Sequence, residues 1–240
     1  MKFFPASSAF TAPLSNFKSA ILNNCALPQQ CLLCAAASRA ALCAACYRRL
    51  PWLIVARCPQ CALPTTRGEY CGACLKRPPH FDHVAAACSY AYPLAELIRG
   101  YKYHGTLALA ALFAQMLAAT AHGNANAIVP LPLSKSRLRQ RGFNQALEIA
   151  RVVNRITGIP LIRACRRVRD SAPQATLPWS KRRKNIRGAF ACDADLAGKR
   201  IAVIDDVLTS GATLDEIAKI LKRAGATEIQ GWVVARTLPA

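Results

Sequence analysis

The chain has 240 residues, 53% of them hydrophobic, so it is long enough for one or two domains with a buried core and too apolar to be a disordered chain. Thirty-two Lys and Arg against twelve Asp and Glu leave a net charge of +20, which points to a polyanion as partner: nucleic acid, a phosphorylated substrate, or both. The excess is local. Residues 131–190 hold fifteen basic residues and only Glu148 and Asp170 as acids, while the last fifty residues hold six basic and seven acidic.

In chain order, residues 1–24 come first. Pro5, Pro13 and several serines break them up, no continuous apolar stretch of a secretory signal is present, and a weakly ordered extension is expected. The longest apolar run, residues 107–119, is interrupted by Gln115 and is shorter than the ~20 residues that span a bilayer. It predicts a core helix, no membrane insertion and a cytoplasmic protein.

Residues 25–80 form the next predicted domain. Ten of the twelve cysteines lie between Cys25 and Cys88, and eight form four C-x-x-C pairs: Cys31/Cys34, Cys43/Cys46, Cys58/Cys61 and Cys71/Cys74. The gaps within the two halves, eight and nine residues, are nearly equal, which marks an internal repeat of two units. A C-x-x-C turn presents two thiolates to one ion, and two such turns complete the tetrahedral sulfur shell that suits zinc. Four filled sulfur positions leave none open for catalysis, so two structural zinc sites are predicted. Zinc also supplies what a stretch rich in Ala, Pro and Arg lacks, at ~10–16 kcal/mol apparent per site. A disulfide framework would need an export signal, a redox pair does not explain four repeats, and iron–sulfur spacings differ. Sequential pairing within each half is preferred, with interleaved pairing as the alternative. Cys25, Cys88, Cys165 and Cys192 are left over as buried or incidental thiols.

Residues 81–240 alternate strand and helix signals, which predicts an α/β domain with a mostly parallel sheet flanked by helices. Residues 80–92 read as strand or hairpin. Leu94, Leu97 and Ile98 then fall at helical spacing, with Lys102 between two tyrosines just before Gly105. Residues 106–120 read as a helix. His104 and His122 are expected at the surface or at caps. AIVPLPL, residues 127–133, reads as a short buried strand, SKSRLRQRGF as a basic loop, and NQALEIARVVNRI as an amphipathic helix. A basic loop between a strand end and a helix start is where parallel α/β sheets bind anions. A further strand is expected at 159–162, followed by a long basic loop over 166–190 of the kind used as a lid.

IAVIDDVLTSGAT, residues 201–213, carries the chemistry. A buried strand over 201–204 delivers Asp205 and Asp206 at its tip. Thr209, Ser210, Gly211 and Thr213 form a turn whose N–H groups and hydroxyls can surround a phosphate, with a helix from 214 directing its dipole there. No G-x-x-x-x-G-K or G-x-G-x-x-G is present. The two carboxylates point to a polyol beside the phosphate, accepting from ribose hydroxyls or metal-bound water. Helix capping would need only one of them, since a neighbouring pair repels itself without cations or donors. EIQGWVVART reads as the next strand.

VIDDVLTSGAT resembles the 5-phosphoribosyl 1-pyrophosphate (PRPP) motif of type I phosphoribosyltransferases. Taken with KYHG, VPLP, RLRQRGFNQA, PQATLPWSKRRKNIRGAF and the cysteine pairs, it is similar to the ComF family over about residues 25–238. That family includes proteins needed for DNA uptake and for use of external DNA. The resemblance implies a type I phosphoribosyltransferase fold preceded by a double zinc ribbon. It implies that Asp205 and Asp206 bind the ribose 2- and 3-hydroxyls with Mg²⁺ nearby, and that Thr209, Ser210, Gly211, Ala212 and Thr213 wrap the 5-phosphate. Arg137, Arg141, Gly142 and Asn144 would lie near the pyrophosphate. Arg182, Arg183 and Asn185 would belong to a closing loop, and Lys102 would add a further charge. Fixed arginines and Mg²⁺ would stabilise the pyrophosphate leaving group while the loop excludes water. Purine-salvage relatives carry an acid where Thr209 stands here, so no general base for a purine is implied. Two functions follow: a DNA-uptake protein that binds PRPP and single-stranded DNA, with Trp179 and the tyrosines available for stacking, or a phosphoribosyltransferase of nucleotide metabolism. DNA-uptake machinery is a further expected partner.

Overall fold

The computed structural model describes residues 29–121, 124–169 and 185–238. Cys25, His122, Trp179, Arg182 and Arg183 lie outside them. Two compact units divide the chain between Tyr47 and Arg48.

The described part of the first unit is a zinc-ribbon hairpin. Strands β1 (Gln29–Gln30) and β2 (Ala37–Ser38) pair antiparallel, and the short helix α1 (Ala44–Arg48) follows. Two turns shape it, closed by Ala35 N–H donating to Cys31 O at 2.9 Å and Tyr47 N–H donating to Cys43 O at 2.9 Å.

The second unit repeats that ribbon and builds it into an α/β domain. Ala62 N–H donates to Cys58 O at 3.0 Å and Leu75 N–H to Cys71 O at 3.0 Å, with helix α2 (Gly72–Lys76) running out of the second turn. Ala35 (φ 57°) and Ala62 (φ 58°) occupy the same place in the two repeats, directly after the second cysteine of a C-x-x-C. Both are left-handed, a conformation disfavoured for a residue with a Cβ, so the turn geometry prevails over local preference. Cys58, Cys61 and Cys74 are buried in the same apolar cluster as Val203, Leu214 and Val233, and the division into units therefore falls between the two cysteine sets.

The sheet contains β3 (His83–Ser89), β4 (Ala127–Pro130), β7 (Arg200–Leu208) and β8 (Glu228–Arg236) in the order β3-β8-β7-β4, all parallel. Strands buried on both faces read as continuous apolar runs, as AIVP and IAVI do. Helices α3 (Leu94–Tyr103) and α4 (Ala108–Thr120) connect β3 to β4. After β4 come α5 (Lys135–Arg141) and α6 (Gln145–Thr157), and α7 (Ala212–Arg223) connects β7 to β8. Alternation assigns the faces. Ala127, Val129, Ile201 and Val203 belong to the cluster that includes Leu214, Ile217 and Leu221 of α7. The opposite face meets α4 and α6.

Three elements depart from expectation. The basic loop SKSRLRQRGF contains helix α5, which has no apolar periodicity and is held by its ends: Ser134 Oγ accepts from Arg137 N–H, and Gly142 terminates the helix at φ 78°. The strand expected at 159–162 contracts to a parallel bridge between Leu161 and Ile128. The long basic loop starts and ends as a hairpin, β5 (Cys165–Arg167) against β6 (Phe190–Cys192). Two of the leftover thiols, Cys165 and Cys192, stand opposite one another in its register.

Gly231 on β8 sets the distance of α7 from the sheet. A Cβ there would lie 2.4 Å from Leu214 Cδ2 and 3.2 Å from Val84 Cγ2. Gly231→Ala is expected to destabilise the unit by about 1–3 kcal/mol, the usual range for overpacking, read as a lowered melting temperature. An unchanged melting temperature would show that Leu214 repacks freely.

Candidate functional site

A cavity of about 610 Å³ opens beyond the C-terminal ends of β4 and β7. This is where open parallel sheets bind ligands. Lys102, Arg137, Arg141, Asn144, Asp205, Asp206, Thr209, Gly211 and Thr213 all line it. Ser210 and Ala212 build the adjoining turn, where Ser210 Oγ accepts from Ala212 N–H at 3.4 Å. Asn185, at the far end of the basic loop, is not among the residues that line the cavity; its carbonyl accepts from Arg169 Nη2 at 3.2 Å.

The carboxylates do not sit past the strand end. β7 continues through Leu208, with Asp205 paired to Val233 and Leu208 to Arg236. Alternation places Asp206 on the same face as Ala202 and Ile204. There Lys102 Nζ meets Asp206 Oδ2 at 2.8 Å, with little of either side chain exposed. Asp205 Oδ1 accepts from Asp206 N–H at 2.8 Å. Two carboxylates thus share one ammonium. Burial and the neighbouring Asp206 charge push Asp205 well above the usual carboxylate range. Burial acts on Asp206 in the same direction, but the Lys102 charge and hydrogen bond prevail and hold it below that range.

Tyr101 explains why Lys102 is there. It is fully buried, donates its hydroxyl to Gln145 O at 3.0 Å, and packs edge-on against Phe113 and Phe143. The next residue on α3 is thereby directed at β7. Asn144 is the N-cap of α6: Oδ1 accepts from Ala146 and Leu147 N–H, and Nδ2 donates to Leu131 O at 3.1 Å. Its side chain ties the loop after β4 to α6. Arg141 lies over the Tyr103 ring, 5.1 Å from its centre. Gly211 (φ 77°) is the N-cap of α7, a left-handed position that suits glycine and turns the helix start, with its positive dipole end, toward an anion.

The cysteines form two sequential clusters, Cys31, Cys34, Cys43, Cys46 and Cys58, Cys61, Cys71, Cys74, each with its sulfurs within 4.8 Å of one another. An ion ~2.3 Å from four tetrahedral sulfurs sets them roughly 3.8 Å apart. Cys34 and Cys43 Sγ are 3.7 Å apart, and Cys61 and Cys71 Sγ 3.6 Å. Both sets fit zinc. In each set one thiol is favoured as thiolate by main-chain N–H groups against the opposing effect of burial, Cys31 lowered to about 6 and Cys58 to about 7. Neighbouring thiols are pushed up, Cys46 to about 12 by hydrogen bonding with Cys34 and Cys61 to about 11 by burial.

Sequence reasoning assigned no role to Arg236, which closes β8. It is 2% exposed and donates to Cys61 O at 2.9 Å, Leu208 O at 3.0 Å, Thr237 O at 2.9 Å and Thr209 O. The one available signal was an arginine ending the apolar run WVVA, since arginine is almost never fully buried without partners.

Residues 22–75 match the double zinc ribbon domain and residues 141–238 the phosphoribosyl transferase domain. The chain is 33% identical over 191 residues to the DNA utilization protein YhgH of Escherichia coli (strain K12), covering 75% of this chain and 84% of that protein. It is 32% identical over 225 residues to YhgH of Salmonella typhimurium, covering 88% and 99%. Competence protein F of Haemophilus influenzae is 33% identical over 180 residues, covering 70% of this chain and 79% of that protein.

The two carboxylates should respond oppositely to neutralisation in the ligand-free protein. Asp206 ionises more readily folded than unfolded, so its contribution is present at neutral pH and is lost as pH falls below the ordinary carboxylate range. Asp205 has the reverse sign. Asp206→Asn should destabilise by about 1–3 kcal/mol at pH 7 by leaving Lys102 unpaired, whereas Asp205→Asn should stabilise. Melting temperatures of the two variants at pH 7 check this, and shifts of the same sign would refute the charge assignment.

Proposed function

The chain belongs to the ComF family, and on that premise we propose that it binds PRPP with Mg²⁺ in the cavity and acts in the use of external DNA, with single-stranded DNA as a partner. The observation that carries the reading is the charge imbalance at β7. Half-buried Asp205 and buried Asp206 stand together with one ammonium, Lys102, paired to Asp206, beside a turn and a helix start suited to phosphate. Burial and the Asp206 charge disfavour the ionised form of Asp205, and a donor or a cation beside it would restore that form. A ribose supplies hydroxyl donors, and a divalent cation, which takes hard oxygen ligands, supplies charge.

Asp205 and Asp206 accept from the ribose 2- and 3-hydroxyls. The turn from Thr209 to Thr213 holds the 5-phosphate through main-chain N–H groups and hydroxyls. Arg137 and Arg141, from the wall opposite, hold the pyrophosphate, and Lys102 keeps Asp206 ionised for its hydroxyl. Mg²⁺, when bound, would neutralise pyrophosphate charge and so favour cleavage at C1.

The second reading, transfer of the phosphoribosyl group to an acceptor, is favoured by Arg137, Arg141 and Lys102 all lining one cavity. Fixed cations there would stabilise the leaving group as charge develops. Release of pyrophosphate on addition of candidate acceptors separates transfer from binding alone.

The eight clustered thiols, which would be prone to oxidation outside a reducing compartment, support a cytoplasmic location. Among the described residues, no helix is long and apolar enough to cross a membrane.

Isothermal titration with PRPP and Mg²⁺ is expected to show binding that Asp205→Asn with Asp206→Asn abolishes; binding unchanged by the double substitution would remove the site assignment. For DNA, Lys135, Arg139, Arg163 and Arg166 are exposed within the basic segment. Single-strand affinity should therefore fall steeply with salt, log K losing about 0.7 per neutralised phosphate for each tenfold rise. No binding at low salt, or a flat salt dependence, would rule this partner out.

A further inference from the structure

We propose that Arg236 couples the turn over 208–213 to the second cysteine cluster, so that metal at Cys58, Cys61, Cys71 and Cys74 holds this turn in its binding form. The guanidinium lies between the two. Its Nε donates to the carbonyl of Cys61, itself a cluster residue, and its Nη1 donates to the carbonyls of Leu208 and Thr209, where the turn begins. Among the described residues no carboxylate pairs with it: it donates to main-chain oxygens, and the side-chain partner it meets is Cys61 of the cluster. A buried cation held mainly by carbonyls is poorly compensated. Four thiolates around a divalent ion carry a net charge of about −2, whereas four thiols carry none. The loaded cluster is thus the counter-charge for Arg236, which already touches it through the Cys61 carbonyl.

Geometry adds to charge. Cys61 O is positioned by the knuckle that Ala62 closes in a left-handed conformation, with its N–H on Cys58 O at 3.0 Å. An empty cluster removes the reason for that strained turn. Arg236 then loses its counter-charge and its Cys61 acceptor together, and the Leu208 and Thr209 carbonyls lose their donor. Arg236 is a positioning residue: it acts on the site through the main chain of the turn. The consequence for PRPP rests on the phosphoribosyl reading above; the coupling itself does not. Where PRPP binds, reciprocity requires that it also tighten the hold of the second cluster on zinc.

The test is hydrogen exchange of the backbone amides over 208–213 in the full chain, zinc-loaded, stripped by chelator and reloaded, with metal content measured in each state. Stripping wild type should speed exchange in the turn at least tenfold, and reloading should restore it. Arg236→Met should show the fast turn while its zinc is still bound, and should release zinc to chelator faster. If Arg236→Met does not fold, Arg236→Lys, which keeps the charge but not the forked donor, should show the same effect at threefold or more. A zinc-loaded Arg236 variant with wild-type exchange in the turn, or a stripped wild type whose turn stays protected, overturns the coupling. In a separate arm, PRPP with Mg²⁺ should slow chelator-driven zinc loss from wild type. Failure of PRPP to bind at all counts against the phosphoribosyl reading and leaves the exchange result to decide the coupling.

Discussion

Consecutive aspartates in a buried parallel strand constrain the rest of the larger unit. A strand in the middle of a sheet offers its carboxylates little water and only main-chain donors along its edges. Asp205 takes one such donor, the N–H of Asp206, and Asp206 needs a cation. Lys102 supplies it from α3, whose position is set by the buried Tyr101. Tyr101 in turn is tied to the first residue of α6 through the Gln145 carbonyl. The charge problem on β7 is therefore met by packing two helices away. The cavity between these elements is what remains when the strand end, α3 and the start of α6 are held at those distances.

A second constraint works from the other face of the sheet. Residues 48–80 contribute few large apolar side chains, yet they cover α7 and the strands beneath it. Cysteine takes the place of leucine: Cys58, Cys61 and Cys74 are as buried as the core residues they touch. Two alanines in left-handed conformation show that the metal-binding geometry dominates local backbone preference in both repeats. The same geometry brings the Cys61 carbonyl to Arg236, so the covering layer and the turn share a buried cation.

What was legible in the sequence follows from the range of the signal. The 3.6-residue pattern of α6 and α7, the apolar runs of β4 and β7, and the C-x-x-C repeats are short-range and were readable, as was the motif around Asp205. Pairing of the clusters was left as a preference, because nearly equal spacings allow either arrangement and only the three-dimensional path decides. Helix α5 was hidden because KSRLRQR has no apolar stripe and depends on Ser134 and Gly142 at its ends. The β5–β6 hairpin joins strands separated by more than twenty residues of basic loop, so neither it nor the facing of Cys165 and Cys192 leaves a local trace. Arg236 was missed for the same reason: its partners, Cys61 and Leu208, lie 175 and 28 residues away.

The motif and the chemistry are distributed differently over the chain. Within the recognised stretches, several residues serve the backbone. Gly211 turns the helix start, Ser210 holds the Ala212 amide, and Asn144 caps α6 and binds the Leu131 carbonyl. These positions identify a fold that presents a phosphate-sized turn, and substituting them would disturb the turn before it disturbed any reaction. The charges around this turn come from outside it: Lys102 from α3, Arg141 from α5, and Arg236 from the end of β8. The identity of the fold therefore precedes the identity of the reaction in this chain. Two of these three cations, Lys102 and Arg141, face the cavity, and Arg236 holds the turn from behind through its main chain.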